Sequence, residues 1–209
     1  MATKRHGDEK RTTEEIGAEI IHAMDAEFHH QSDRIVAVVG GAYLDSLLDS
    51  LLRAVFIDSE KEADGLLRPD APLGSNGSRY QLAYCLGLIR IDQRDDLKII
   101  AKIRNLFAHD FKALTFDTAP ARDHCGKLQQ PRLLASMRDN IIPAQTAEQL
   151  RAYVQEITTS PRQKYEMAVI SLFGSLLRRV NLVRRVDGVT WFSDDPDPGF
   201  RAPLASTTK

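Results

Sequence analysis

The sequence predicts an all-α fold, a helical bundle of four to five principal helices, and three observations carry that expectation. Apolar residues recur at three- and four-residue spacing over long stretches, the pattern of a helix that buries one face. No period-two alternation of any length marks a strand, and no strand–turn–helix fingerprint or internal repeat is visible. The chain has 209 residues, of which 43% are hydrophobic and 27% charged, ordinary values for one globular domain with appendages. The expected division is a disordered charged arm at 1–12, a single helical-bundle domain at 13–186, and a flexible tail at 187–209 carrying Trp191-Phe192, Pro196 and Pro198.

The elements follow in order. Thr12 and Glu15 fit a capping box, and Ile16, Ile20, Met24 and Phe28 then repeat every four residues, predicting a first amphipathic helix. Ser32 can cap a second, 33–57, whose stripe includes Ile35, Val36, Leu44, Leu48, Leu51, Leu52 and Val55. Asp45, Asp49 and Arg53 recur every four residues and read as its outer, solvated face. Gly40-Gly41 lowers helix propensity by about 1 kcal/mol per residue, and with no proline nearby it predicts close approach of a neighbouring helix. Residues 58–78 are rich in Asp, Gly, Pro and Ser and read as one long loop. Helices are expected over 78–88 and, capped by Asp92, over 93–109, with Leu97, Ile100, Ile103, Leu106 and Phe107 inward. A stretch near 111–117 reads as extended, with short helices near 119–128 and 147–157. Thr159-Ser160-Pro161 opens a last long helix to about Arg185, with Tyr165, Val169, Leu172, Phe173 and Leu176 on one face.

Lys and Arg total 28 and Asp and Glu 29, so a globally basic nucleic-acid binder is excluded and any such role needs a local patch. Cys85 and Cys125 are too few for a disulfide framework, and no His/Cys set has metal-ligand spacing. No metal or other cofactor is expected. The polar start is unlike a secretory signal and no uninterrupted apolar run approaches about 18 residues, so the expectation is a cytoplasmic protein without a membrane partner.

Charge is uneven. Residues 13–66 hold twelve acids against three bases, whereas 160–186 hold six bases against Glu166 alone. These runs read as solvated faces that attract each other within the bundle, or, in the basic helix, as an anion-binding end at Arg178–Arg185 that includes Arg179. Ser75 at a helix start with Arg79 one turn on could likewise hold an anion on free backbone N–H groups; the same residues also suit a plain turn and N-cap.

The sharpest chemical pattern is Arg104-Asn105-Leu106-Phe107-Ala108-His109. Asn105 and His109 are four apart and share a helical face at a helix end, with Arg104 beside it. Histidine is suited to proton transfer near neutral pH, arginine to clamping a phosphate, and the amide to orienting either. Together they are the parts for metal-independent RNA cleavage by attack of a 2′-hydroxyl on the neighbouring phosphate. The pattern resembles the RNxxxH motif of HEPN domains, small helical bundles that usually dimerise. The resemblance implies catalytic Arg104 and His109 with Asn105 supporting, paired across a homodimer and acting on RNA. Alternatively Arg104 and His109 merely finish the helix.

A broader likeness runs from Pro72-Leu73-Gly74-Ser75 through Arg79, Leu82-Ala83-Tyr84-x-Leu86-Gly87-Leu88-Ile89 and Ile103-Arg104-Asn105-x-x-Ala108-His109. In that order these resemble the mannitol operon repressor family, over roughly residues 30–185. That resemblance implies a HEPN-like, self-associating bundle that represses a carbohydrate-use operon. No helix-turn-helix with a basic recognition helix, zinc finger or basic zipper is visible, which points to a regulatory protein partner rather than direct base reading. The sequence thus offers two functions, a transcriptional regulator of this kind or a HEPN-type endoribonuclease.

Overall fold

Asp33–Val55 forms the longest helix, α1, and the other elements are arranged around it. The computed structural model describes residues 23–24, 26–109, 114–131 and 160–183. After α1 come α2 (Glu60–Leu67), α3 (Asn76–Cys85), α4 (Ile91–His109), α5 (Ala119–Cys125) and α6 (Pro161–Leu182). Among the described residues there is no strand, and the fold is all-α. The arm at 1–12, Ile16, Ile20, the 147–157 helix, Arg184, Arg185 and the tail at 187–209 lie outside the described residues; Met24 and Phe28 of the first expected helix are buried.

Ser32 caps α1, accepting from Ile35 N at 3.4 Å, and Asp33 adds negative charge to the first turn. Val36, Ala37, Leu44, Leu48, Leu51 and Leu52 are buried. An 18-residue window of α1 has a mean hydropathy of 1.6, enough by length and composition to cross a membrane, but half of that window is buried against the rest of the chain. Its apolarity is that of a core helix: α6, α4, α3 and α2 all pack on it.

The glycine pair admits the two nearest neighbours. A Cβ on Gly40 would stand 3.3 Å from the Tyr165 ring and from Val169 of α6, and one on Gly41 would stand 2.9 Å from Cγ of Arg104 on α4. Close approach, not a kink, is what these residues provide. Tyr165 donates from its buried hydroxyl to Ala37 O at 2.7 Å, and its ring sits 5.0 Å from Phe116, itself 4.9 Å from Phe107. Burial raises the Tyr165 hydroxyl far above the usual phenol range, so it stays a donor.

These contacts also fix direction. Arg162 at the start of α6 donates to Asp33 Oδ1 (2.8 Å), Gln31 O (2.9 Å) and Phe28 O (2.7 Å), while Tyr43 meets Phe173 further along. α6 therefore runs parallel to α1. Arg34 donates to Phe107 O and Gly41 faces Arg104, whereas Gln93 at the other end of α4 donates to Ser175 Oγ at 2.7 Å, so α4 is antiparallel to both. Asp33 serves two elements, because its Oδ2 accepts from Phe116 N at 2.9 Å.

Two expectations are corrected. The supposed loop 58–78 contains α2: Ser59 accepts from Glu62 N at 3.5 Å, Glu60 and Glu62 suit the helix start, and Ala63 and Leu67 are buried. Only 58–59 and 68–75 are irregular. The polar stripe of α1 is not a solvated face either. Arg53 bonds Asp49 (2.7 Å) and Asp64 of α2 (2.8 Å), and Asp45 and Asp49 receive Arg79 of α3, so the stripe is the seat for both short helices. Smaller differences follow the same logic. α4 starts at Ile91, with Asp92 inside its first turn and paired to Arg90 at 2.7 Å, and α3 stops at Cys85, ahead of Gly87 with φ of +69°, the left-handed turn that glycine allows.

Buried Asp96 of α4 accepts from Gln129 N and Gln130 N, both at 2.8 Å, tying the segment after α5 to the bundle. Burial raises its carboxyl pKa, while the two backbone donors pull it the other way.

Gly41→Ala is expected to destabilise by about 1–3 kcal/mol despite alanine's better helix propensity, because the new methyl strikes the root of Arg104. In the Arg104→Gly background, which removes both the Cβ and the Cγ that the methyl meets, the same change should cost less than about 0.5 kcal/mol, a coupling that urea melts of the four proteins would read. Arg162→Ala should cost about 2–4 kcal/mol by the same measurement, since Asp33 and two carbonyls lose their donor together.

Candidate functional site

The Arg104–His109 motif occupies the last two turns of α4, as the apolar spacing of 97–107 requires once Phe107 and Ile103 are buried. Asn105 and His109 both face solvent on one side of the helix. The stem of Arg104 leans on α1, while its guanidinium reaches back to Asn105. Five residues separate Arg104 from His109, about 140° around the helix, and its side chain lies along α1 in the space left by Gly41. Its Nε is buried without a hydrogen-bond partner, and its Nη1 stands 3.5 Å from Asn105 Oδ1. Within one chain the structure thus joins Arg104 to Asn105 through Nη1 and Oδ1, and leaves His109 exposed on the same side of the helix as Asn105. The α1–α4 seam opens into a narrow cleft lined by Leu44, Asp45, Tyr80, Leu97, Ile100 and Arg104, a mostly apolar floor with charge at its rim.

Ser75 and Arg79 are engaged by the protein itself. Ser75 caps α3, accepting from Ser78 N at 3.1 Å. Arg79 is only 8% exposed; Nε donates to Leu73 O at 2.9 Å, Nη1 to Asp45 Oδ1 at 3.2 Å and Nη2 to Leu67 O. The guanidinium is ringed by acceptors, two at the ends of the 67–73 connection and two on α1, Asp45 and Asp49, so it locks that connection down. Of the two readings of Ser75 and Arg79, this geometry matches the turn and cap. Sequence reasoning missed the partner of Arg79 because Asp45 is 34 residues away.

Arg178 and Arg179 lie near the end of α6. Arg178 is exposed, while Arg179 is half-buried and donates to Leu88 O in the α3–α4 connection. Burial first, and then Arg90 and Arg178, pull the Arg179 pKa down, while Asp92 acts the other way. Arg90 is therefore a third member of this cluster that the sequence did not single out; it is far from Arg178 in the chain and only the fold unites them.

Cys85 is exposed and Cys125 buried, with its thiol pushed up to about 12 by burial, out of reach of nucleophilic chemistry near neutral pH. Among the described residues no group of three His, Cys, Asp or Glu could hold a metal ion.

No family model matches the chain, and no curated protein matches it. A solved structure does: the fold is similar to that of a chain in the X-ray structure of the MtlR–HPr complex from Escherichia coli. The match has a TM-score of 0.53 and 17% identity, over 77% of this chain and 97% of that one. The chain has an MtlR-like helical fold. Nothing in that likeness bears on the RNxxxH resemblance.

His109→Ala should leave stability within about 0.5 kcal/mol of wild type, whereas Arg79→Ala should cost about 2–4 kcal/mol, because Asp45 and two carbonyls lose their donor together, while Asp49 keeps Arg53. Thermal melts of the two variants side by side separate the fold-bearing arginine from the solvent-facing motif.

Proposed function

We propose that this chain is a cytoplasmic, MtlR-like regulator that represses a carbohydrate-use operon through a protein partner rather than by reading bases. One observation carries the reading: nearly the whole of the similar chain, 97%, is matched by this fold, and that structure is a complex of MtlR with HPr. The arrangement of the helices agrees with it. The apolar faces of α1, α4 and α6 are turned on one another, and the basic residues at the end of α6 form a compact cluster rather than a stripe along one exposed helix, as groove reading needs. An HPr-type protein is the proposed partner. Calorimetric titration of the purified chain with HPr from the same cell should give a saturable 1:1 heat, with Kd in the micromolar range or tighter, about −8 kcal/mol. Absence of heat, together with no shift of HPr resonances at matched concentrations, overturns the partner.

A second reading, a metal-independent endoribonuclease, is favoured by one feature: Asn105 and His109 are both at the surface, where RNA can reach them. It requires the Arg104 guanidinium, whose Nη1 meets Asn105, to share a phosphate with His109, or a second copy to supply an arginine. Incubation of total RNA with the protein in EDTA decides it; cleavage lost in His109→Ala supports it, and identical intact RNA with both proteins eliminates it.

A further inference from the structure

Most arginines of the described bundle are spent on the protein itself. Arg53, Arg79, Arg90, Arg94 and Arg162 pair with carboxylates, and Arg34 and Arg179 donate to carbonyls. Lys98, Lys102 and Lys127 are different. All three are exposed, and none donates to an acceptor among the described residues.

The fold gathers them on one surface. Lys98, Lys102, Asn105 and His109 follow at steps of four, three and four residues, which puts them within about 60° of one another on α4 and spreads them over about 16 Å of its axis. All four are exposed. Lys127 joins them from the segment after α5: Gln129, two residues on, gives its N–H to Asp96 at 2.8 Å, and Asp96 is two residues before Lys98. His124 of α5 is close to both elements; burial lowers its pKa first, then Lys127 and Lys102 lower it further, against Asp123. Arg122 adds a cation 3.8 Å from Asp123. Of the neighbouring acids, Asp95 is held by Arg94 at 2.7 Å, and buried Asp96 is turned to backbone donors. The surface is cationic although the whole chain carries a net charge of −1.

We propose that this stripe grips the phosphate backbone of duplex DNA without reading its bases. Three features select that occupant. Lysine is a compact point charge suited to phosphate. Positions 98, 102, 105, 109 and 127 hold no apolar side chain, whereas the interface of a protein partner needs an apolar core and disfavours lysine. No Phe, Tyr or Trp stands among them, and single-stranded RNA is held largely by stacking on such rings. Groove reading does not follow, because α3 and α5 both pack on α4 and leave it too embedded to enter the major groove. Contacts of this kind position a protein on DNA and carry no sequence information. The choice of duplex DNA over duplex RNA rests on the regulator reading above; the phosphate chemistry does not.

Fluorescence anisotropy of a labelled DNA duplex of about 20 base pairs, titrated with the full chain at about 50 mM salt, tests this. The expected result is a saturable rise with a Kd of about 10–100 μM, equal within about twofold for two unrelated sequences. Log Kd should climb with log salt at a slope of about 2.7, that is about 0.9 for each of three neutralised phosphates. Lys98→Glu with Lys102→Glu and Lys127→Glu should weaken binding at least about tenfold, with a melt close to that of wild type because none of the three holds the fold. If that variant melts early, Lys98→Gln with Lys102→Gln replaces it, with a loss of at least about threefold expected. Arg178→Glu, in the other basic cluster, should change the Kd by less than about twofold. No anisotropy change, binding undiminished in the lysine variants, or tighter binding to RNA of the same sequence, single- or double-stranded, overturns the proposal. The duplex titration needs no HPr. Failure of the regulator reading therefore shows as a missing HPr heat with duplex binding intact, and failure of this inference as the reverse.

Discussion

The architecture depends on enclosing one helix that water does not tolerate. α1 buries nine of its 23 residues, more than any other described helix, and so carries much of the hydrophobic gain of the described bundle. Enclosure from several sides demands that the neighbours come close, and Gly40 and Gly41 let them: one admits Tyr165 and Val169, the other the stem of Arg104. Adjacent glycines sacrifice some local helix stability and return interhelical contact, a trade that favours the fold because dispersion and burial accumulate over every turn of α4 and α6.

Apolar enclosure alone would permit several registers, so the polar contacts carry the specificity. Arg162 reaches three acceptors around the start of α1, and Asp33 relays that anchor to the backbone at Phe116. Arg79 does the same for the connection between α2 and α3, and Asp96 for the segment after α5. Each hub joins elements distant in sequence, and each is built on a charged side chain that accepts or donates several bonds at once, which a shifted register would leave unsatisfied.

The helical class, the cap at Ser32, the glycine contact and the inward faces of α4 and α6 were legible because they depend on residues within one or two turns of each other. The loop around 58–75 was misread where composition outweighed local signals: Ser59, Glu60 and Glu62 are a helix start, and Ala63 and Leu67 a four-residue stripe, embedded among Asp and Gly. The stripe Asp45–Asp49–Arg53 was misread for a deeper reason. Periodicity reports which residues share a face, not what that face meets, and nothing local to α1 announces Arg79 or Asp64. The motif at 104–109 was legible as a cluster on a helix end, but the diversion of Arg104 toward Gly41 follows from packing between helices, which a pattern within one helix cannot express.

α4 spans the molecule, from Ile91 at one pole to His109 at the other, about 28 Å along its axis. It is pinned at both ends and in the middle: by Ser175 through Gln93, by Gly41 through Arg104, and by Arg34 at Phe107 O. A rod held at three points transmits displacement instead of absorbing it. An axial slip that frees Arg104 from the glycine notch must also stretch the Gln93–Ser175 bond and disturb the turn that carries His109. The two poles of the bundle are thereby mechanically linked through a single helix, with the orphaned Nε of Arg104 at the catch.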